Sequence, residues 1–188
     1  MAFFLGILTI IIALMSYGFY LRDMFKGKTK PHSVTWFIWG LLNSFIFFEQ
    51  INNGAGEGAW VTGTAAVANI LIFILSLKYG EKRITKLDVF CLVSAIAILV
   101  FWLQTADTVP AIILACVIFI VGFIPTITKA WRRSQEETTV TFALNGLKFF
   151  IALFALQSFT IVTALYPIVL MVLNGGFALF LVVRRIKH

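Results

Sequence analysis

The sequence predicts an all-α integral membrane protein: seven transmembrane helices in two parallel three-helix repeats joined by a linker helix (3+1+3). Three observations lead there. Of 188 residues, 61% are hydrophobic and only 12% charged, whereas soluble domains carry roughly a quarter charged residues. Apolar runs recur at 3–21, 34–51, 59–77, 87–103, 109–130, 139–156 and 161–183, each near the ~20 residues that cross a ~30 Å hydrocarbon core. Finally, the chain repeats itself weakly. The stretch 121–146, VGFIPTITKAWRRSQEETTVTFALNG, answers to 15–40, MSYGFYLRDMFKGKTKPHSVTWFIWG. At an offset of 106, Tyr17 matches Phe123, Lys26 matches Arg132, Thr35 matches Thr141, Trp36 matches Phe142 and Gly40 matches Gly146; at 105, Asn69 matches Asn174. Duplicated halves are a common plan for membrane carriers. The expected units are 1–80, a linker helix within 81–107, and 108–188.

Charge placement sets the orientation. The net charge is +7, and 14 of the 15 basic residues fall after the first, third, fifth and seventh runs. The other three connections hold only Glu57 and Asp107. By the positive-inside rule the N-terminus lies outside and the C-terminus in the cytoplasm. Basic residues so distributed serve topology, so no nucleic-acid partner is expected; the lipid bilayer is the partner. The first run lacks a basic leader and a small-residue cleavage site and reads as a span rather than a signal peptide. A compact chain of this kind suits a bacterial inner membrane.

The first helix carries Gly6, Thr9, Ser16 and Gly18, a surface that permits close approach. The loop FKGKTKPH turns the chain back, and Pro31 suits a helix start. Trp36, Trp60 and Trp102 fit interfacial belts, and His32 belongs to the solvated loop. Glu49 closes the second helix near the outer surface. The third, with Gly63, Thr64, Ala65, Ala66 and Ala68, should pack inside the bundle. The fourth is almost uniformly apolar and has no counterpart in the repeat, as a linker span requires. In the fifth, Pro125 is expected to end the helix. Thr141, Asn145 and Lys148 share one face of the sixth, and Asn174-Gly175-Gly176 lies mid-way along the seventh. Cys91 and Cys116 read as buried small hydrophobes.

Five polar side chains fall near membrane mid-depth: Asn43, Asn69, Asn145, Lys148 and Asn174. A lysine there costs about 2.5–3.5 kcal/mol on insertion scales, so Lys148 should face a cavity or a partner. Snorkelling to the headgroups is the alternative, but it starts roughly 15 Å deep. The asparagines either form interhelical hydrogen bonds, worth about 0.6 kcal/mol each, or line a pocket. Asn69 and Asn174, matched in both halves beside small residues, favour the pocket. Lys148 would add a preference for a carboxylate or phosphate, or take part in proton coupling.

The three-helix unit, linker and second unit, with Pro125 before a basic loop and Asn69 and Asn174 in the third helix of each unit, resemble the SWEET/PQ-loop superfamily over almost the whole chain. The family's Pro-Gln pair is Pro125-Thr126 in one copy and Phe19-Tyr20 in the other. The resemblance implies a transporter working by alternating access, with Pro125 as a hinge and a small-molecule substrate held by Asn69 and Asn174. Sugar is the first expectation; an amino acid or small carboxylate using Lys148 is the alternative. Sugar carriers of the family commonly place an aromatic side chain in the pocket, and Asn53 and Ser158 stand where one was sought. A non-transporting receptor or sorting protein on the same scaffold, as the KDEL receptors imply, is a further alternative. No metal-ligand, phosphate-loop or nucleophile spacing is present, so no cofactor, metal or enzymatic activity is expected. Self-association into a homo-oligomer stays open.

Overall fold

The computed structural model describes residues 1–80, 84–132 and 134–186. Lys82, Arg83, Arg133 and Lys187 of the basic connections lie outside the described residues, as do the side chains of Pro125, Lys129 and Arg132. Seven α-helices account for nearly all of the rest: α1 (Ala2–Phe25), α2 (Ser33–Asn52), α3 (Trp60–Tyr79), α4 (Lys86–Thr105), α5 (Thr108–Arg132), α6 (Thr139–Ala155) and α7 (Ile161–Ile186). Short 3₁₀ turns, Gly56–Ala59 and Ser134–Glu136, precede α3 and α6. No strand occurs among the described residues. Six helices are long and apolar enough to cross a membrane. The exception is α6: its 17 residues rise about 25 Å, less than the ~30 Å core. The chain is thus an all-helical membrane protein by the length and composition of its helices.

Local chemistry explains both ends of α4. The α4 start is a capping box, in which the Asp88 amide donates to Thr85 Oγ1 (3.3 Å) and the Thr85 amide to Asp88 Oδ2 (2.6 Å). Its far end closes on Ala106, whose φ of 53° is left-handed. Pro110 lies in the first turn of α5, and two further prolines sit deeper inside helices. Contrary to the sequence expectation, α5 does not stop at Pro125 but continues to Arg132. In α7, Pro167 cannot donate to the carbonyl one turn back, which belongs to Thr163. Gln50 of α2 supplies the missing donor, Nε2 to Thr163 O at 2.8 Å. Freed backbone groups in membrane helices are re-satisfied in this way by neighbouring side chains.

The packing order is the same at both ends of the chain. α3 packs against both α1 and α2, and α7 against both α5 and α6. α4 lies on α5 and α2, while α1 and α6 pack extensively on one another. Two crossings depend on glycine. A Cβ on Gly40 of α2 would meet Ile70 Cγ1 at 2.9 Å and the Ile70 amide nitrogen at 3.4 Å. A Cβ on Gly146 of α6 would meet the Gly175 nitrogen at 2.9 Å and its Cα at 3.1 Å. Each crossing therefore brings the second helix of a unit against the third beside Asn69 or Asn174. Outward faces are apolar: Val89, Phe90, Val93, Val100 and Leu103 of α4 are all exposed, which suits lipid and not water.

Candidate functional site

A cavity of about 370 Å³ runs between the helices. Four of the five polar residues singled out from the sequence, Asn43, Asn69, Asn145 and Asn174, line it together. From them the cavity extends to the helix ends that carry the basic connections, where Lys30, His32, Thr85, Asp88 and Glu137 form its rim. Lys30 and Thr85 are solvent-exposed there, and His32 Nε2 lies 3.5 Å from Asp88 Oδ2. None of the lining comes from the opposite end of the bundle, segments 49–59, 103–110 and 155–163. That end is closed. The Gln157 amide donates to Ala55 O (3.1 Å) and its Nε2 to Glu57 Oε2 (2.6 Å). Thr108 Oγ1 donates to the buried Glu49 carboxylate (2.6 Å), and Gln50 holds Thr163 as described above.

The asparagines differ in what they leave free. Asn43 is fully engaged: Nδ2 donates to Trp39 O (2.7 Å) and Oδ1 accepts from the Tyr166 hydroxyl (2.5 Å). Asn145 Oδ1 accepts from Ser16 Oγ (2.9 Å), which joins α6 to α1, and its Nδ2 is unpartnered among the described residues. Asn174 Nδ2 donates to Leu170 O (2.8 Å), leaving Oδ1 free. Asn69 makes no hydrogen bond among the described residues. Asn69 and Asn174 are each only 4% exposed, yet neither carries a fully buried unpaired atom, so their free groups open on the cavity. Both readings drawn from the sequence thus have instances here, interhelical bonding at Asn43 and Asn145 and pocket-facing groups at Asn69, Asn145 and Asn174.

Lys148 is not part of the lining. Its side chain is 0% exposed, Nζ has no hydrogen-bond partner among the described residues, and it lies 4.3 Å from the Tyr17 ring centroid and 5.2 Å from that of Phe149. Both rings line the cavity, so the amine stands one layer behind the wall. Phe123 and Thr126, on either side of Pro125, belong to the lining; the Pro125 side chain lies outside the described residues.

Nine of the 24 lining residues are aromatic, and this was missed from the sequence. Trp36 is buried at 8% beside Tyr20, their ring centroids 4.8 Å apart; it is a cavity residue and not the interfacial belt residue expected of it. Trp39 packs against all three apolar clusters of the bundle. The signal that finds it was present: moving back 106 residues from Asn145 reaches Trp39. The offset holds across the cavity. Tyr17 and Phe123, Tyr20 and Thr126, Thr35 and Thr141, Trp36 and Phe142, Trp39 and Asn145, and Asn43 and Phe149 are lining pairs at 106; Ala65 and Leu170, and Asn69 and Asn174, are lining pairs at 105. Sixteen of the 24 lining residues fall into these eight pairs.

Compared with known protein families, with curated proteins and with solved structures, the chain matches none. Its function is therefore read from the site alone.

Proposed function

We propose that this protein is a membrane carrier that moves a small, uncharged polar solute by alternating access, with the N-terminus outside. On this reading residues 1–80 and 108–188 are two parallel three-helix repeats, and α4 is the linker that lets both point the same way. The observation that carries it is the cavity: unpartnered amides at mid-helix depth, one end reaching solvent among the basic connections, the other end closed. The eight lining pairs, six at an offset of 106 and two at 105, support the duplication, since a site on the axis between two repeats draws equivalent positions from each. The conformation is then the one open to the cytoplasm.

A second reading, a carrier for small carboxylates, has one observation in its favour, the unpartnered Nζ of Lys148. Tyr17 and Phe149 stand between that amine and the cavity, which favours the uncharged solute.

The test is reconstitution into liposomes and uptake of labelled sugars, nucleosides, amino acids and carboxylates, with Asn69→Ala and Asn174→Ala alongside. Saturable uptake that disappears in either variant, at unchanged expression and melting temperature, is the expected outcome. A solute that binds in detergent yet never crosses the bilayer would make the protein a receptor.

A further inference from the structure

The chemistry of the cavity narrows the solute further than its polarity does. Every charged lining residue (Lys30, His32 when protonated, Asp88 and Glu137) sits at the rim, at a helix end or in a connection. The deep part holds none, and Lys148 is screened by two rings. An ion drawn in would lie unpaired in a low-dielectric site, which is strongly disfavoured. The deep wall offers nine aromatic side chains and three amides with free groups: an acceptor at Asn174, a donor at Asn145, both at Asn69. A hexose carries a hydroxyl on nearly every ring carbon. The Thr35, Thr126, Thr141, Tyr17 and Tyr20 hydroxyls of the wall can pair with some of them, but Phe119, Phe123, Phe142 and Phe149 cannot, and buried hydroxyls left unpaired are costly. A flat heterocycle inverts that balance. Its faces stack on aromatic walls, and its lactam or amidine edge sets a donor beside an acceptor, the pattern that an asparagine amide reads on a nucleobase. Trp39 is built for the stack. Its indole lies nearly parallel to Phe119 (6.1 Å, 13°) and Phe123 (6.2 Å, 25°), two α5 rings one turn apart that fix its plane, while the ring stays part-exposed in the cavity wall.

We propose that the transported solute is an uncharged planar heterocycle of the nucleobase or nucleoside class, stacked on Trp39 and hydrogen-bonded by Asn69, Asn145 and Asn174. This rests on the carrier reading for transport, but the binding chemistry stands or falls separately. The experiment is equilibrium dialysis of the purified full chain in nanodiscs with labelled uridine and adenosine, against glucose, sucrose and glutamate. Trp39→Leu, Trp39→Phe and Asn69→Leu are measured in parallel, each checked for an unchanged melting temperature. Saturable nucleoside binding is expected, weakened at least about tenfold by Trp39→Leu and by Asn69→Leu, and kept within about threefold by Trp39→Phe, which retains a ring. Should Trp39→Leu not fold, quenching of the parent's tryptophan fluorescence by bound uridine, reduced in Trp39→Phe, replaces it. Binding of glucose or sucrose in preference to nucleosides overturns the class, as does glutamate binding that Lys148→Met removes, or no nucleoside binding at all. Nucleoside binding without liposome uptake leaves this inference standing and removes the carrier; sugar uptake does the reverse.

Discussion

The crossing of α6 and α7 gives the sharpest test of how the site is held. Gly146 and Gly175 meet there, but the contact is one-sided. A Cβ built on Gly146 lands 2.9 Å from the Gly175 nitrogen and 3.1 Å from its Cα, whereas one built on Gly175 or Gly176 meets nothing within 4 Å. Backbone cannot swing aside as a side-chain tip can, so Gly146→Ala must push the helices apart, and overpacking of this kind costs about 1–3 kcal/mol. Against that stands the gain of replacing glycine by alanine in a helix, up to about 1 kcal/mol. A net loss of about 1–2 kcal/mol follows. At roughly 2–4 °C per kcal/mol for a chain of this size, the melting point should fall by about 2–8 °C. Gly175→Ala takes the helix gain without the clash and should raise it. Gly40→Ala belongs between them, because its nearest obstacle at 2.9 Å is the Ile70 side chain, with backbone only at 3.4 Å. Asn145 and Asn174 adjoin the crossing, so Gly146→Ala should also weaken ligand binding, while Gly175→Ala spares it. Differential scanning fluorimetry of the three variants is enough. A Gly146→Ala protein as stable as its parent, or a Gly175→Ala protein equally damaged, would refute the geometry.

Two further outcomes follow from the same coordinates. Lys148→Met removes an amine that has no hydrogen-bond partner among the described residues and keeps the length of the side chain. The roughly 1–3 kcal/mol gained by removing it is offset in part by the lost Tyr17 and Phe149 ring contacts, up to about 2 kcal/mol. Stability should therefore rise by about 1 kcal/mol in a chemical or thermal melt, and a fall would show the ring contacts dominating. At the closed end, Gln157→Ala deletes the bond to Glu57, worth about 0.5–1.5 kcal/mol, in one conformation only. The population should shift about 2–10-fold toward opening at that end, read as longer distances between spin labels at Asn53 and Ser158; an unchanged distribution would deny Gln157 a latching role.

The membrane class, six long apolar helices and four of the cavity residues were legible in the sequence for one physical reason. A polar side chain in a 20-residue apolar run has no use for lipid, so it stands out without any knowledge of the fold. Aromatic residues do not stand out in this way. The chain has 20 Phe, 5 Trp and 4 Tyr, and a ring is equally at home against acyl chains, in a core or on a cavity wall. Trp36 was therefore read as a belt residue and Trp39 passed over. Lys148 shows a different limit. Its depth could be counted along α6, but that Tyr17 of α1 would stand between it and the cavity is a contact between residues 131 positions apart. Pro125 was over-read because proline ends helices in water, where a freed carbonyl is simply hydrated. In a bundle the helix can continue if neighbours supply the bond, as Gln50 does for Thr163.

The paired lining also says what a duplicated carrier must keep and what it must change. On the two-repeat reading, equivalent positions face each other at equal depth across the axis. Asn69 and Asn174 are the same in both halves, and so are Thr35 and Thr141. One turn apart on α2 and α6, however, the halves exchange chemistry: Trp39 stands opposite Asn145, and Asn43 opposite Phe149. At each of these two levels one wall offers a ring and the other an amide. A solute with two equivalent sides would gain nothing from that exchange, whereas one with an apolar face and a hydrogen-bonding edge is held in a single orientation. The closed end obeys the opposite rule. There the α2–α3 connection meets its own counterpart, the α6–α7 connection, through Gln157 and Ala55, so the contact lies where the halves can part together. Few hydrogen bonds of modest strength hold it, as a switch between conformations a few kcal/mol apart requires. The glycine crossings lie within each half, beside Asn69 and Asn174, and need not change when the halves move. On the carrier reading, the crossings inside the repeats and the extensive α1–α6 packing keep the pocket's shape, and the few bonds through Gln157 at the closed end are the ones that part when access changes sides.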